Sequence, residues 1–151
     1  MTLPDDVMAA LDIDTTSSAW ERTVDITTTG ARTGRPRRIE IWFYRFDGRW
    51  FLSSMPARRG WYANLLADPR FVLHVKHGAT ADLAATAVPV PDPEDRRRIL
   101  QHFVDDLNQP HDPARIGRNQ HLQDWIDGSP LLEIRFDALE ADGRQTAGSL
   151  P

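Results

Sequence analysis

The sequence predicts a mainly β domain with α, a small antiparallel barrel with helices packed outside. Five or six short runs alternate or carry β-branched residues, most are joined by tight turns, and the helical patterns fall between the later strands. With 151 residues, 40% apolar and 26% charged, the chain has the length and composition for one core. We expect a single domain over 1–151, with residues 1–22 as an N-terminal helix and linker and 138–151 as a flexible tail.

Leu3-Pro4-Asp5 opens a short helix over 6–11, with proline and acids in its first turn. Residues 15–18 are a polar break, and 23–29, rich in β-branched side chains, form a strand. Gly30-Ala31-Arg32-Thr33-Gly34 makes a hairpin connection in which Gly34 suits a positive φ. The return strand, 36–46, places Ile39, Ile41 and Phe43 on one face and Glu40, Trp42, Tyr44 and Phe46 on the other. Both faces are largely apolar, as expected where a sheet curls and one face meets a ligand or a second subunit.

Asp47-Gly48 signals a two-residue hairpin into a third strand, 49–54. A loop over 54–60 leads to a short helix, 61–67, stopped by Asp68-Pro69. Strands follow over 70–76 and near 79–90, joined by His77-Gly78. Asp92-Pro93-Glu94-Asp95 caps a helix that runs to about residue 108, with Ile99, Leu100, Phe103, Val104 and Leu107 as its apolar stripe. A second helix over about 114–126 precedes a last strand, 131–136, and a weakly structured tail after residue 137.

Composition excludes several classes. The longest apolar runs, 7–11 and 41–44, hold five and four residues, where a bilayer span needs roughly 20. The first fifteen residues carry Asp5, Asp6, Asp12 and Asp14 and no basic residue, the reverse of a signal peptide. With no cysteine there is no disulfide framework, thiolate nucleophile or Cys-based metal site. A cytoplasmic protein, monomer or homodimer, is expected.

Net charge is −4, unevenly placed: residues 22–76 hold eleven basic against four acidic groups. A positive segment in an acidic protein points to a local anion site and away from nucleic acid. Four guanidiniums, Arg32, Arg35, Arg37 and Arg38, crowd the first hairpin and its return strand. Guanidinium forks bind carboxylate or phosphate bidentately, and a glycine-containing turn lets backbone N–H groups approach the same anion. Arg37 and Arg38 point to opposite faces, so one of them is expected near the sheet interior.

A second stretch, Ser53-Ser54-Met55-Pro56-Ala57-Arg58-Arg59-Gly60-Trp61-Tyr62-Ala63-Asn64, carries a strand end through a loop into a helix start, with unpaired N–H groups and flat side chains. No triad or HxxxH spacing is present, no paired carboxylates lie near the basic site, and His74 and His77 fall on opposite strand faces, so no metal is expected. Asp105-Asp106 and the Arg96-Arg97-Arg98 run read as a solvated helix face.

Together, the run from Thr27-Thr28-Thr29-Gly30 to Arg37-Arg38, then Asp47-Gly48, then Trp61-Tyr62-Ala63-Asn64-Leu65-Leu66-Ala67-Asp68-Pro69-Arg70 resembles the deazaflavin-dependent nitroreductase and quinone reductase family. The resemblance covers about residues 23–90 and implies a split antiparallel β-barrel related to FMN-binding proteins. It implies binding of coenzyme F-420, an 8-hydroxy-5-deazaflavin with a phosphate and a γ-glutamyl tail. By that resemblance Arg32, Arg35, Arg37 and Arg38 meet the tail anions. Ser53, Ser54 and Met55 line the ring, Arg58 and Arg59 stand at the far end of the loop, and Trp61, Tyr62 and Asn64 support the site from the helix start. The chain departs from the family pattern at Ile39-Glu40-Ile41-Trp42, where many members have a Thr-Pro-Leu-like continuation, which bears on the substrate.

The expected activity is hydride transfer from reduced F-420 to a small planar acceptor, a quinone or nitroaromatic, with Trp42 and Tyr44 as candidate stacking surfaces. No catalytic side chain is singled out. The alternatives are an FMN-dependent oxidoreductase of the same fold, whose phosphate suits the same arginines, and a non-enzymatic haem-, fatty-acid- or flavin-binding protein.

Overall fold

A computed structural model describes residues 3–54, 60–111, 113–114 and 119–141. Its elements are α1 (Asp5–Leu11), α2 (Ala19–Arg22), β1 (Thr23–Thr29), β2 (Pro36–Phe46), β3 (Arg49–Ser53), α3 (Gly60–Ala67), β4 (Arg70–Val75), β5 (Ala81–Pro89), α4 (Pro93–Leu107), α5 (Leu122–Gly128), β6 (Leu131–Phe136) and α6 (Asp137–Ala141). The six strands close a barrel in the order β1-β2-β3-β6-β5-β4, every pair antiparallel. The predicted fold class is the observed one.

Local chemistry explains the hairpins. Asp47 and Gly48 both take positive φ, 58° and 70°, the geometry of a two-residue turn whose twist matches the strands it joins. Gly34 (φ 69°) closes the first hairpin, where a Cβ would be strained. Alternation does the rest. Val24, Ile26, Ile41, Phe43, Leu52, Leu73, Leu83, Ile134 and Phe136 face inward as one buried cluster, with Val7 and Leu11 of α1 and Trp61 and Leu65 of α3 packed against it.

A second apolar cluster lies outside the barrel. Tyr44, Phe51 and Leu131 meet Ile99, Leu100, Phe103, Val104 and Leu107 of α4 and Trp125 of α5. The outward apolar face of β2, expected to meet a ligand or second subunit, is therefore covered by the chain's own helices. The cap on α4 is as predicted: Asp92 accepts from Asp95 N–H, with proline at the first helical position.

Three expectations need correction. The second helix begins at Leu122, later than residue 114, because Asn108 and Gln120 hold each other in a non-helical clamp. In that clamp Gln120 N–H donates to Asn108 Oδ1 (2.6 Å), and Asn108 Nδ2 donates to Gln120 C=O (2.9 Å). The region after residue 137 opens with helix α6, anchored by Leu139 at 2% exposure, where the prediction placed a flexible tail; residues 142–151 lie outside the described residues. Helix α2, absent from the prediction, is closed by a capping box in which Ser18 and Glu21 exchange hydrogen bonds.

Strand register sets where an opening can form. β2 pairs with β1 from Pro36 to Trp42, but with β3 only from Phe43 to Phe46. The second edge of residues 36–42 thus pairs with no strand among the described residues. That free edge begins where β3 leaves the sheet at Ser53, and the basic hairpin overhangs the barrel beyond it. Among the described residues, no helix is long and apolar enough to cross a membrane.

Candidate functional site

The β1–β2 hairpin is held in shape by its own backbone. Gly30 N–H donates to Arg35 C=O and Gly34 N–H to Gly30 C=O, both at 2.8 Å, and Arg35 N–H reaches Thr33 Oγ1 at 3.2 Å. Space is tight at Gly30, where a Cβ would stand 2.7 Å from Thr33 Oγ1 and 3.2 Å from Arg35 O. From α3, Asn64 reaches across: Ala31 N–H donates to Asn64 Oδ1 (2.9 Å), and Asn64 Nδ2 donates to Thr28 Oγ1 (3.0 Å). The N–H groups of Gly30, Ala31, Gly34 and Arg35 are therefore already engaged. An anion at this turn is left chiefly to the guanidiniums.

All four of those guanidinium side chains are exposed. Arg37 stands opposite Thr28, which is buried in the barrel mouth, whereas Arg38 stands opposite Thr27 on the outer face. The expectation that one of them sits inside fails because the strand has passed the barrel's end at this point. Arg38 is tied to Asp25 (3.0 Å), and Lys76 joins the same carboxylate at 2.7 Å and also bonds Glu40. Burial pushes the Asp25 carboxyl up, but the hydrogen bonds from Lys76 and Arg38 and their positive charges outweigh it and hold the group below its ordinary 3.8. Arg32, Arg35 and Arg37 have no carboxylate partner among the described residues. A groove of about 270 Å³ runs along the base of the hairpin, with Thr29 and Pro36 on its rim and Thr27, Arg70, Val72 and Ala84 along its wall.

At the other end of the free edge, Ser53 is 1% exposed, and its hydroxyl donates to Pro130 C=O (2.6 Å) and pairs with Ser129 Oγ (2.7 Å). Ser53 braces β3 against the α5–β6 turn. Ser54 C=O accepts from Ser129 Oγ (2.9 Å), while Ser54 Oγ itself is buried without a hydrogen-bond partner among the described residues. A buried, unsatisfied hydroxyl at the sheet's open edge is the kind of group a bound polar molecule would satisfy. Met55, Arg58 and Arg59 lie outside the described residues.

Trp61, 6% exposed, plugs the barrel beneath α3, and Tyr62 packs beside it. Tyr44 is corrected as a stacking surface: it is 6% exposed, stacked on Phe103 at 4.3 Å and edge-on to Trp125 at 6.5 Å. Burial raises its phenol well above the ordinary tyrosine value, so it also holds its proton. Trp42 is half-buried against the same cluster and keeps an accessible part.

Sequence reasoning missed three polar constellations. Arg22 and Asp106, 2% and 9% exposed, form a buried ion pair with bonds of 2.5 and 3.0 Å, so Asp106 is not part of a solvated face. Arg96 likewise turns inward, donating to the carbonyls of Ile126 and Ser129. On the outer face, His74 links Asp82 (2.6 Å) to Thr27 Oγ1 (2.7 Å), a cross-strand chain visible only once β1, β4 and β5 are in register. No group of three metal-ligating side chains occurs among the described residues.

Comparison with known proteins adds lineage to this geometry. The model of the F420H(2)-dependent quinone reductase family matches residues 11–115. Comparison with curated proteins gives no match. Among solved structures, a conserved hypothetical protein of Mycobacterium tuberculosis superposes with TM-score 0.58 at 20% identity, covering 91% of this chain and 82% of that one. A FAD-binding protein of Mesorhizobium loti gives 0.56 at 17% identity, covering 91% and 92%. A Listeria innocua protein provisionally assigned as a pyridoxamine 5'-phosphate oxidase gives 0.58 at 12%, covering 88% and 92%. These likenesses establish the split-barrel fold.

Proposed function

The chain belongs to the F420H(2)-dependent quinone reductase family and is an oxidoreductase; from that premise we propose that it binds reduced F-420 along the open edge of β2 and passes a hydride to a small planar acceptor, a quinone or nitroaromatic. The observation that carries this reading is the placing of three guanidiniums with no carboxylate partner among the described residues, Arg32, Arg35 and Arg37, at one end of the edge, with Ser54, whose hydroxyl has no partner among those residues, at the other. Those donors suit a molecule with an anionic tail and a polar ring.

When bound, the reduced deazaflavin supplies the hydride and the demanding electronic chemistry. The chain's own task is to bind, orient and exclude water. Arg32, Arg35 and Arg37 would hold the phosphate and carboxylate groups, which guanidinium forks suit, and Arg38 would add positive potential from its seat on Asp25. The Ser54 hydroxyl, which has no hydrogen-bond partner among the described residues, would donate to the ring. Met55, Arg58 and Arg59 are assigned to the same side by the family resemblance. Trp61 acts indirectly, by seating α3 in the barrel. Trp42 offers the acceptor a flat apolar surface.

The test is anaerobic: reduced F-420 is mixed with a benzoquinone or a nitroaromatic, with and without the protein, and the return of oxidised-cofactor absorbance is followed. The reading expects protein-dependent oxidation with F-420 and none with reduced FMN in its place. Turnover with FMN alone, or with neither carrier, would overturn it.

A further inference from the structure

We propose that Asn64 is a positioning residue: through its side-chain amide, α3 holds the basic hairpin in the shape that receives the anionic tail of the cofactor. The proposal rests on the deazaflavin reading above and extends it from the groups that touch the ligand to the group that sets their place.

The hairpin overhangs the barrel, and its arginines are exposed. The turn's own backbone bonds set its internal shape, but it can still tilt as a unit against the barrel unless something outside it holds it, and each orientation lost on binding subtracts from affinity. Asn64 supplies the outside contact. Its carbonyl accepts from Ala31 N–H at 2.9 Å, one residue before Arg32, and its NH₂ donates to Thr28 Oγ1 at 3.0 Å on the strand that enters the turn. The two bonds fix which way the amide faces, because a flipped amide would set NH₂ against the Ala31 N–H.

The anchor itself is rigid. Trp61 and Leu65, on either side of Asn64 along α3, are 6% and 3% exposed in the barrel core, and Thr28 is 3% exposed. Helix α3 also begins at Gly60, six residues after Ser54 in the chain. One helix therefore sits between the ring end and the tail end of the open edge, and the Asn64 amide carries its position to the tail end.

The experiment compares two probes by equilibrium titration: F-420, and the same deazaflavin truncated at its ribityl group, which lacks phosphate and glutamates. For Asn64→Ala the expected result is a loss of about tenfold in F-420 affinity, the scale of one preorganising contact, with the truncated probe unaffected. Amide hydrogen exchange in the free protein should show Ala31 N–H exchanging faster in Asn64→Ala and remaining slow in Asn64→Asp, which retains the acceptor oxygen. Thr28→Val, which removes only the second bond, should give a smaller loss of the same selectivity and serves if Asn64→Ala fails to fold. Equal losses for both probes, or unchanged Ala31 exchange in Asn64→Ala, would overturn the proposal. If the wild-type protein binds neither probe, the cofactor reading itself falls, a result distinct from a variant that loses both equally.

Discussion

Arg37 and Arg38 are neighbours in the chain with unequal surroundings. Arg38 spends its guanidinium on Asp25, whereas Arg37 has no carboxylate partner among the described residues. Arg37→Ala should weaken F-420 binding by about 1–3 kcal/mol, the worth of a charged hydrogen bond, and Arg38→Ala by less; the two dissociation constants measured side by side check the order. Asp106 is a different case. Removing it strands the Arg22 guanidinium in the core, so Asp106→Ala should cost about 3–5 kcal/mol in urea unfolding. Nothing local in the sequence marks that pair, since its members are 84 residues apart and Asp106 sits in a run of acids. His102, stacked on Phe46 at 4.2 Å, adds a pH dependence. Burial lowers it below its ordinary 6.5, against upward pulls from Asp106 and Asp105. The fold therefore favours neutral imidazole: its contribution is complete above 6.5 and is lost as pH falls through the lowered folded-state value. Urea midpoints should drop as pH falls below 6.5, and His102→Gln should flatten that part of the profile.

At the scale of elements, the strands were legible because turns and alternation agree. Thr23–Thr29, Pro36–Phe46 and Leu131–Phe136 stand as predicted, each bounded by a turn residue or proline. What was illegible depended on contacts distant in sequence. The late start of α5 follows from the Asn108–Gln120 clamp, and α6 exists because Leu139 finds the barrel core. Helix α2 was legible in principle, since Ser18-Ala19-Trp20-Glu21 is a capping-box pattern. The basic hairpin could be found from its composition, but its engaged backbone and the exposure of both Arg37 and Arg38 required the register of β2 against β1 and β3. Gly30 tests the hairpin as a unit. Gly30→Ala crowds Thr33 Oγ1 and the Arg35 carbonyl, and should reduce F-420 affinity while costing about 1 kcal/mol of stability or less. Titration and thermal melting of the same sample separate the two effects.

For the whole molecule, the division into two cores explains how one small chain carries both rigidity and an opening. The barrel interior and the α4–α5 cluster bury opposite faces of β2 and β3, so the sheet is fixed around the part of β2 that pairs with β1 alone. Four arginines of the basic segment, Arg32, Arg35, Arg37 and Arg38, stand at that opening. Exposed guanidiniums are screened by salt, so ligand affinity should fall as ionic strength rises. The most direct measurement is a fluorescence titration of the purified protein with F-420 at low and high salt, alongside FMN. F-420 should bind saturably and more weakly as salt rises, with FMN at least about tenfold weaker, a difference of about 1.4 kcal/mol. Salt-independent binding of F-420, or tighter binding of FMN, would contradict the F-420 assignment.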